Sequence, residues 1–210
     1  MVIRAKIGAA KSFEIVFYPR YRPAYICATK GLLMRKLSMD ELGRKTVAEF
    51  RQSDKVPLIV VLENIRSAYN VGSIFRTADA FLLNSIYICG YTAFPPHKEI
   101  KKTALGADET VTWKHCKNIV DALEEIRSEG YSIYAVEQAV DSWKLGSFTV
   151  DDEKIAVIFG NEVTGVEQST IALCDGVIEI PQLGMKHSLN VATAAGVVLW
   201  ELVRNRFKVE

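Results

Sequence analysis

The sequence predicts an α/β fold with a mostly parallel sheet flanked by helices. Short apolar runs rich in β-branched residues alternate with longer segments whose apolar residues recur at helical spacing. The clearest of these runs are continuous, as in parallel strands that helices cover on both faces. The chain has 210 residues, 49% of them hydrophobic and 24% charged, which is typical of a globular protein with one well-buried core.

Five strands and three helices are predicted. The strands span residues 57–62, 85–89, 131–136, 154–159 and 176–180, and the helices span residues 71–81, 118–129 and 189–206. Ser188 is the predicted N-cap of the last helix, with Asn190 in its first turn. No apolar run approaches the length of a bilayer span, and the N-terminus does not resemble a secretory signal.

The chain is predicted to have two parts, a basic N-terminal extension (residues 1–56) and a domain (residues 57–210). Residues 1–57 contain 12 Lys and Arg against 5 Asp and Glu, whereas the rest contains 14 against 20. Such a basic segment either contacts phosphate backbones or is a solvated tail, and charge alone leaves both open. A further hypothesis is that Met34 is the biological start, which an N-terminal peptide ahead of Met34 in mass spectrometry would exclude.

Cysteine and histidine usage indicates the compartment. The four cysteines are scattered without a CxxC pair, and the three histidines lack the spacing of metal ligands. This pattern predicts no metal site and no dense disulfide framework, and it favours a reducing, cytoplasmic environment.

Three loops that follow predicted strands carry unusual polar residues, at the edge where open α/β sheets bind ligands. No Walker loop and no GxGxxG is present among them. Taken singly, each loop also has a structural explanation: a capped helix with a surface arginine, a glycine-rich turn, and a cap followed by a turn. The loops contain, in order, Asn70, Gly72 and Arg76; Gly160, Glu162 and Gly165; and Ile180, Pro181, Ser188 and Asn190.

Together these loops match N-x-G-x-x-x-R, G-x-E-x-x-G, and I-P followed by S-L-N-V. In this the chain resembles the TrmH/SpoU family of RNA ribose 2′-O-methyltransferases, in the SPOUT superfamily, over about residues 57–205. The resemblance implies a C-terminal trefoil knot, S-adenosylmethionine as cofactor and tRNA or rRNA as substrate. It also implies a homodimer in which each active site borrows residues from the partner subunit.

The resemblance also implies roles for single residues. Main-chain groups of Gly160, Ile180 and Leu189 would hold the cofactor, and Glu137, just beyond the third predicted strand, is a further candidate for this pocket. Arg76 matches the catalytic arginine of the family. Because an arginine side chain stays protonated, we expect it to orient the substrate phosphate and hydroxyl rather than to act as a base.

The remaining catalytic candidates are expected to support Arg76 and the cofactor. Asn70 and Ser188 would shape the site and orient Arg76, Glu162 would order the loops, and Asn190 would hold the cofactor loop and the substrate ribose. Alternatives are a catalytically silent RNA-binding factor, a base-methylating SPOUT enzyme and a small-molecule methyltransferase; the Asn70 and Arg76 pattern favours ribose. The basic segment at residues 95–107 could contact RNA or be a plain surface loop.

Overall fold

The chain divides into two compact units, Met1–Arg44 and Lys45–Glu210. The computed structural model describes residues 2–6, 12–16, 35–38, 40–43, 45–148, 154–186 and 188–206, with only the backbone given for 2–6, 12–16 and 206. In the first unit, β1 (Val2–Lys6) pairs antiparallel with β2 (Ser12–Val16). The sequence predicted no strand here, and Met34 lies outside the described residues.

The described residues of the second unit form a seven-stranded sheet in which every neighbouring pair is parallel. The predicted α/β fold with a mostly parallel sheet is therefore confirmed, and all five predicted strands are present. The strand order is β5-β4-β3-β8-β6-β9-β7. The strands are β3 (Val56–Glu63), β4 (Leu83–Cys89), β5 (Trp113–Cys116), β6 (Ser132–Val136), β7 (Trp143–Lys144), β8 (Ile155–Phe159) and β9 (Gly176–Glu179).

Helices connect these strands, and side chains cap several of them. Thr46 and Glu49 form a reciprocal capping box on α1, and Asn118 caps α5. The helices are α1 (Val47–Gln52), α2 (Ala68–Ala80), α3 (Lys98–Ala104), α4 (Ala107–Thr110), α5 (Ile119–Ser128), α6 (Gln168–Ile171) and α7 (Val191–Val203). None of the helices in the described part of the chain is long and apolar enough to cross a membrane.

Both faces of the sheet are buried, which explains the continuous apolar strands. Leu58, Val60 and Leu62 of β3 pack with α2 and α7 on one face, in one hydrophobic cluster. Ile59 and Val61 pack on the other face, in a second cluster that includes α5. Each fully buried aliphatic side chain contributes about 1.5–3 kcal/mol, so the sheet core fixes the positions of the loops at its edge. The trefoil knot stays a prediction.

Candidate active site at the carboxyl ends of the strands

The three loops identified in the sequence lie at one edge of the sheet. They follow β3, β8 and β9, and β3 and β8 are direct neighbours, while β6 separates β8 from β9. Because all these strands are parallel, their carboxyl ends and the loops that follow them lie on the same side. Residues more than ninety positions apart in the chain are therefore within hydrogen-bonding distance.

Glu162 links the second loop to the first. Its carboxylate accepts hydrogen bonds from the backbone N–H of Arg66 (2.8 Å) and Ser67 (3.1 Å) and from the Asn70 amide (2.8 Å). Ser67 is the N-cap of α2 but makes no capping bond with its own side chain. The carboxylate from another loop thus lies at the positive end of this helix, where a negative charge is stabilising.

The same contacts determine how Glu162 ionises. Burial alone would raise the pKa of this carboxyl, but the hydrogen bonds from Arg66, Asn70, its own N–H and Ser67 outweigh burial and lower the pKa. Glu162 is therefore a carboxylate at neutral pH and cannot donate a proton there. Its geometry suits the ordering of loops.

Asn190 links the third loop to the first, and its position corrects the predicted helix start. The side chain of Asn190, not that of Ser188, is the N-cap of α7, since its Oδ1 accepts from the N–H groups of Ala192 (3.0 Å) and Thr193 (3.3 Å). Its Nδ2 donates to Oδ1 of Asn70 at 3.1 Å. Asn70 is thus held between Glu162 and Asn190, and one polar chain joins all three loops. Asn70 itself lies inside the first turn of α2 and caps nothing.

The second loop is a tight turn that leaves no room for a side chain at Gly160. A Cβ on this residue would lie 2.2 Å from the carbonyl carbon of Gly165 and 2.3 Å from the nitrogen of Val166. Asn161 and Gly165 exchange two backbone hydrogen bonds across the turn, of 2.9 and 3.0 Å. The glycine is therefore required by backbone packing.

A cavity of about 290 Å³ opens between the second and third loops. All four residues predicted to hold the cofactor line it: Gly160, Ile180, Leu189 and Glu137. Val136, Phe159, Val191 and Ala194 add apolar surface, and Glu162 and Ser188 lie at its wall. Neither Ser188 nor Leu189 forms a backbone hydrogen bond with another residue in the described ranges, so their main-chain groups are available to a ligand.

Arg76 is not brought to this cavity. Its side chain is exposed and lines a different hollow, between α2, α3 and Gly196 of α7. Within one chain, Arg76 and the predicted cofactor residues therefore line different hollows. Asn70 also lies outside the lining of the cavity but is bonded to Glu162, which lines it.

Gly72 of the first motif has a packing role. A Cβ here would lie 2.1 Å from Oγ1 of Thr103 and 2.4 Å from the carbonyl oxygen of Ile100, both on α3. The glycine therefore allows α2 and α3 to approach closely, and it does not contact the cavity.

Two residues that support the second loop were missed in the sequence. Glu63, only 2% exposed, accepts hydrogen bonds from Oγ1 of Thr170 (2.5 Å) and from the N–H of Glu167 (3.1 Å). Burial raises its pKa, and these bonds oppose the rise. Tyr91 contacts Asn161, whose Nδ2 donates to the phenol oxygen at 2.6 Å. Glu63 could have been identified as a candidate because it is a charged residue directly after an apolar strand.

The described residues contain no cluster of three or more His, Cys, Asp and Glu side chains that could hold a metal ion. Glu137, a carboxylate that lines the cavity, accepts from the N–H groups of Gln138 (2.8 Å) and Val166 (3.1 Å). The site therefore offers a carboxylate, backbone groups and an apolar wall. These suit an organic ligand that carries hydroxyl groups and a flat ring.

Comparison with known proteins finds RNA 2′-O-methyltransferases among the relatives of this chain. The chain is 33% identical over 169 residues to a tRNA (guanosine(18)-2′-O)-methyltransferase of Thermus thermophilus, covering 80% of this chain and 85% of that protein. It is 28% identical over 181 residues to the 23S rRNA (guanosine-2′-O-)-methyltransferase RlmB of Blochmanniella floridana, covering 85% and 70%. The structure of an AdoMet-bound rRNA methyltransferase from Sinorhizobium meliloti superposes with a TM-score of 0.69 at 26% identity, covering 76% and 61%.

The SpoU rRNA Methylase family pattern matches residues 57–200, which include all three loops. This match covers well over half of the chain, and the resemblance seen in the motifs is confirmed. The chain belongs to the SpoU rRNA methylase family.

Proposed function

We propose that this protein transfers a methyl group from S-adenosylmethionine to a ribose 2′-hydroxyl of tRNA or rRNA. The observation that carries the proposal is the polar chain from Glu162 through Asn70 to Asn190, which joins three loops beside one cavity. Methyltransferases of tRNA and of rRNA are both among the relatives, so the class of RNA stays open between these two. The cytoplasm is the proposed location.

The cavity fits the cofactor. S-adenosylmethionine, when bound, supplies an electrophilic methyl group on a sulfonium. Main-chain groups of Gly160, Ile180 and Leu189 would hold it, and the Glu137 carboxylate would accept hydrogen bonds from its hydroxyls. The small and apolar residues of the wall leave room for the adenine ring. The relative from Sinorhizobium meliloti is described with AdoMet bound.

Arg76 would act on the RNA rather than on the cofactor. As the C–S bond breaks and the new C–O bond forms, the 2′-hydroxyl loses its proton, which we assign to a substrate phosphate or to water. The arginine would bind that phosphate and orient the hydroxyl, since positioning supplies a large share of such a barrier. Asn70 and Ser188 would shape the acceptor site, and Asn190 would contact the ribose.

A homodimer would bring Arg76 to a cofactor cavity. Arg76 does not line the cavity of its own chain but lines a hollow beside Gly196 of α7. The exposed face of α7 is apolar, with Val197 41% and Trp200 50% exposed, and Phe81 lies 6.0 Å from the Trp200 ring. Aromatic and apolar surface of this kind is typical of a subunit interface. We therefore propose that α7 packs against a second copy and that each site uses the arginine of its partner.

The test is methyl transfer from labelled S-adenosylmethionine to RNA from cells that lack the gene. Arg76→Ala should lose transfer while binding the cofactor with unchanged affinity, and retained transfer would refute the role of Arg76. Co-expression of Arg76→Ala with Gly160→Ala should restore activity, because a mixed dimer contains one intact site. Absence of restored activity in isolated mixed dimers would exclude the shared site.

Ribose-methylation mapping of total RNA, with and without the gene, would identify the substrate. We expect a single methylated site to disappear on deletion. If no site disappears and the wild-type protein transfers no methyl group, the chain is a binding factor rather than an enzyme.

A further inference from the structure

The hollow that contains Arg76 has the composition of an anion site. It encloses about 540 Å³, and we call it the α2–α3 hollow. Its two charged residues are both cations, Arg76 and Lys102, and no carboxylate lines it in the described part of the chain. The other lining residues include Ser73, Thr77, Thr103 and Gly196.

A second hollow, also lined by residues of α3, differs from the α2–α3 hollow in its charges. It is lined by Lys98 and Lys101 but also by Asp108 and Glu109, and Lys101 pairs with Glu109 at 3.4 Å. That hollow therefore contains as many carboxylates as lysines. Neither Arg76 nor Lys102 forms an ion pair with a carboxylate of the described residues, so both cations are available to an anion from outside the chain.

The hydroxyl groups of the α2–α3 hollow are already committed. Ser73 donates to the carbonyl oxygen of Tyr69 at 2.9 Å, and Thr77 donates to that of Ser73 at 3.1 Å. Thr103 also donates to Tyr69, at 3.0 Å. The guanidinium of Arg76 and the ammonium of Lys102 are thus the donors left for a ligand.

The helices that carry the two cations pack closely against each other. Gly72 lets α2 approach α3 at Thr103, the residue next to Lys102, and Arg76 follows one turn later on α2. The Lys102 ammonium lies 5.9 Å from the centre of the Tyr69 ring, which favours a cation at this place. Each cation is thus carried by a helix rather than by a loop.

We propose that the α2–α3 hollow binds a phosphodiester of the substrate RNA through Lys102 together with Arg76. This rests on the proposed function, and it adds Lys102 as an RNA-binding residue that none of the three motifs contains. A planar guanidinium and a flexible ammonium together bind one phosphate from two sides. The site would hold the strand beside the ribose that receives the methyl group.

The test compares Lys102→Ala with Lys101→Ala, a neighbouring lysine on the same helix that is already paired. Binding to bulk tRNA and to 23S rRNA from cells lacking the gene is measured across a range of salt concentrations. One lost phosphate contact weakens binding roughly five- to eightfold at about 0.1 M salt and lowers the slope of log K against log salt by about 0.7–0.9. Lys101→Ala should change neither quantity, and Lys102→Arg should restore both.

The outcomes separate this proposal from the enzymatic one. If wild-type protein methylates RNA but Lys102→Ala binds it as Lys101→Ala does, the phosphate site is wrong and the enzyme assignment stands. If wild-type protein methylates neither RNA, the proposed function fails whatever Lys102 does. If Lys102→Ala instead dissociates the oligomer with an unchanged salt slope, a carboxylate of a second copy occupies the hollow and the phosphate site is refuted. Cofactor affinity should be equal in all variants.

Discussion

Replacement of Glu162 by glutamine tests whether one carboxylate joins the loops. The change keeps the size of the side chain but removes its charge and one of its two acceptor oxygens. In one orientation of the new amide, its NH2 group faces the N–H of Arg66, which now donates at 2.8 Å. In the other orientation, the NH2 group faces the donors of Ser67 and Asn70. Either orientation of the amide leaves at least one donor without its partner.

The expected loss of stability follows from these contacts. A hydrogen bond to a charged group contributes about 1.5–3 kcal/mol, and a negative charge at a helix N-terminus adds about 0.3–1 kcal/mol. Arg66 is exposed and Ser67 partly so, which lets water replace part of what is lost. We therefore expect Glu162→Gln to lower the free energy of unfolding by about 2 kcal/mol at neutral pH.

This difference should depend on pH in a defined direction. The folded-state pKa of Glu162 is lowered from the ordinary value of 4.5. A group with a lowered folded-state pKa stabilises the protein fully above its unfolded-state pKa and loses that contribution as the pH falls through the folded-state value. The difference between wild type and Glu162→Gln should thus be constant from neutral pH down to about pH 5 and shrink below about pH 4.

Urea unfolding at fixed protein concentration, followed by tryptophan fluorescence at several pH values, measures this difference. Glu124→Gln is the control, because Glu124 is exposed on α5 and makes no hydrogen bond or ion pair with the residues described. The reasoning fails if both variants unfold with the same free energy at neutral pH. It also fails if the Glu162→Gln difference persists unchanged in acid.

Two further substitutions test the turn and the helix cap. Gly160→Ala should destabilise the protein by about 1–3 kcal/mol and abolish calorimetric binding of S-adenosylmethionine, because its Cβ overlaps the backbone of the turn. Gly146 has open space around it, so Gly146→Ala should change neither the stability nor the binding of S-adenosylmethionine. Equal stability and equal cofactor binding in the two variants would contradict this account. Asn190→Ala should lower the free energy of unfolding by about 1 kcal/mol. Ser188→Ala should leave the free energy of unfolding unchanged. A larger loss of stability for Ser188→Ala than for Asn190→Ala would identify Ser188 as the cap.

The strands and helices that could be predicted are those whose residue pattern is determined by burial alone. β3 and β8 are continuous apolar runs because helices cover both faces of the sheet. β5 escaped prediction because Lys114 and His115 interrupt its four residues, and it forms only through pairing with β4. α3 escaped because only Ile100 and Ala104 are buried and because its N-cap is His97, an unusual capping residue.

The site was predictable in its residues but less so in its contacts. Ser188 and Asn190 are both good N-cap residues two positions apart, and local sequence gives no reason to choose between them. The choice is made by Asn70, 120 residues earlier, which bonds the Asn190 side chain. The buried Glu63 likewise has a hydrogen-bond partner far along the chain, Thr170 on a short helix. Contacts of this range follow from tertiary packing, which a local pattern does not contain.

The placement of Asn70 and Arg76 follows from the geometry of one helix. They are six residues apart on α2, and at 3.6 residues per turn this rotates one side chain by about 240° from the other and moves it about 9 Å along the axis. A straight helix that turns Asn70 toward Glu162 must therefore turn Arg76 elsewhere, and the structure places Arg76 in the α2–α3 hollow beside α7. Within one chain, the two ends of the first motif thus have different neighbours. This separation agrees with the proposal that the acceptor site uses Arg76 of a second copy.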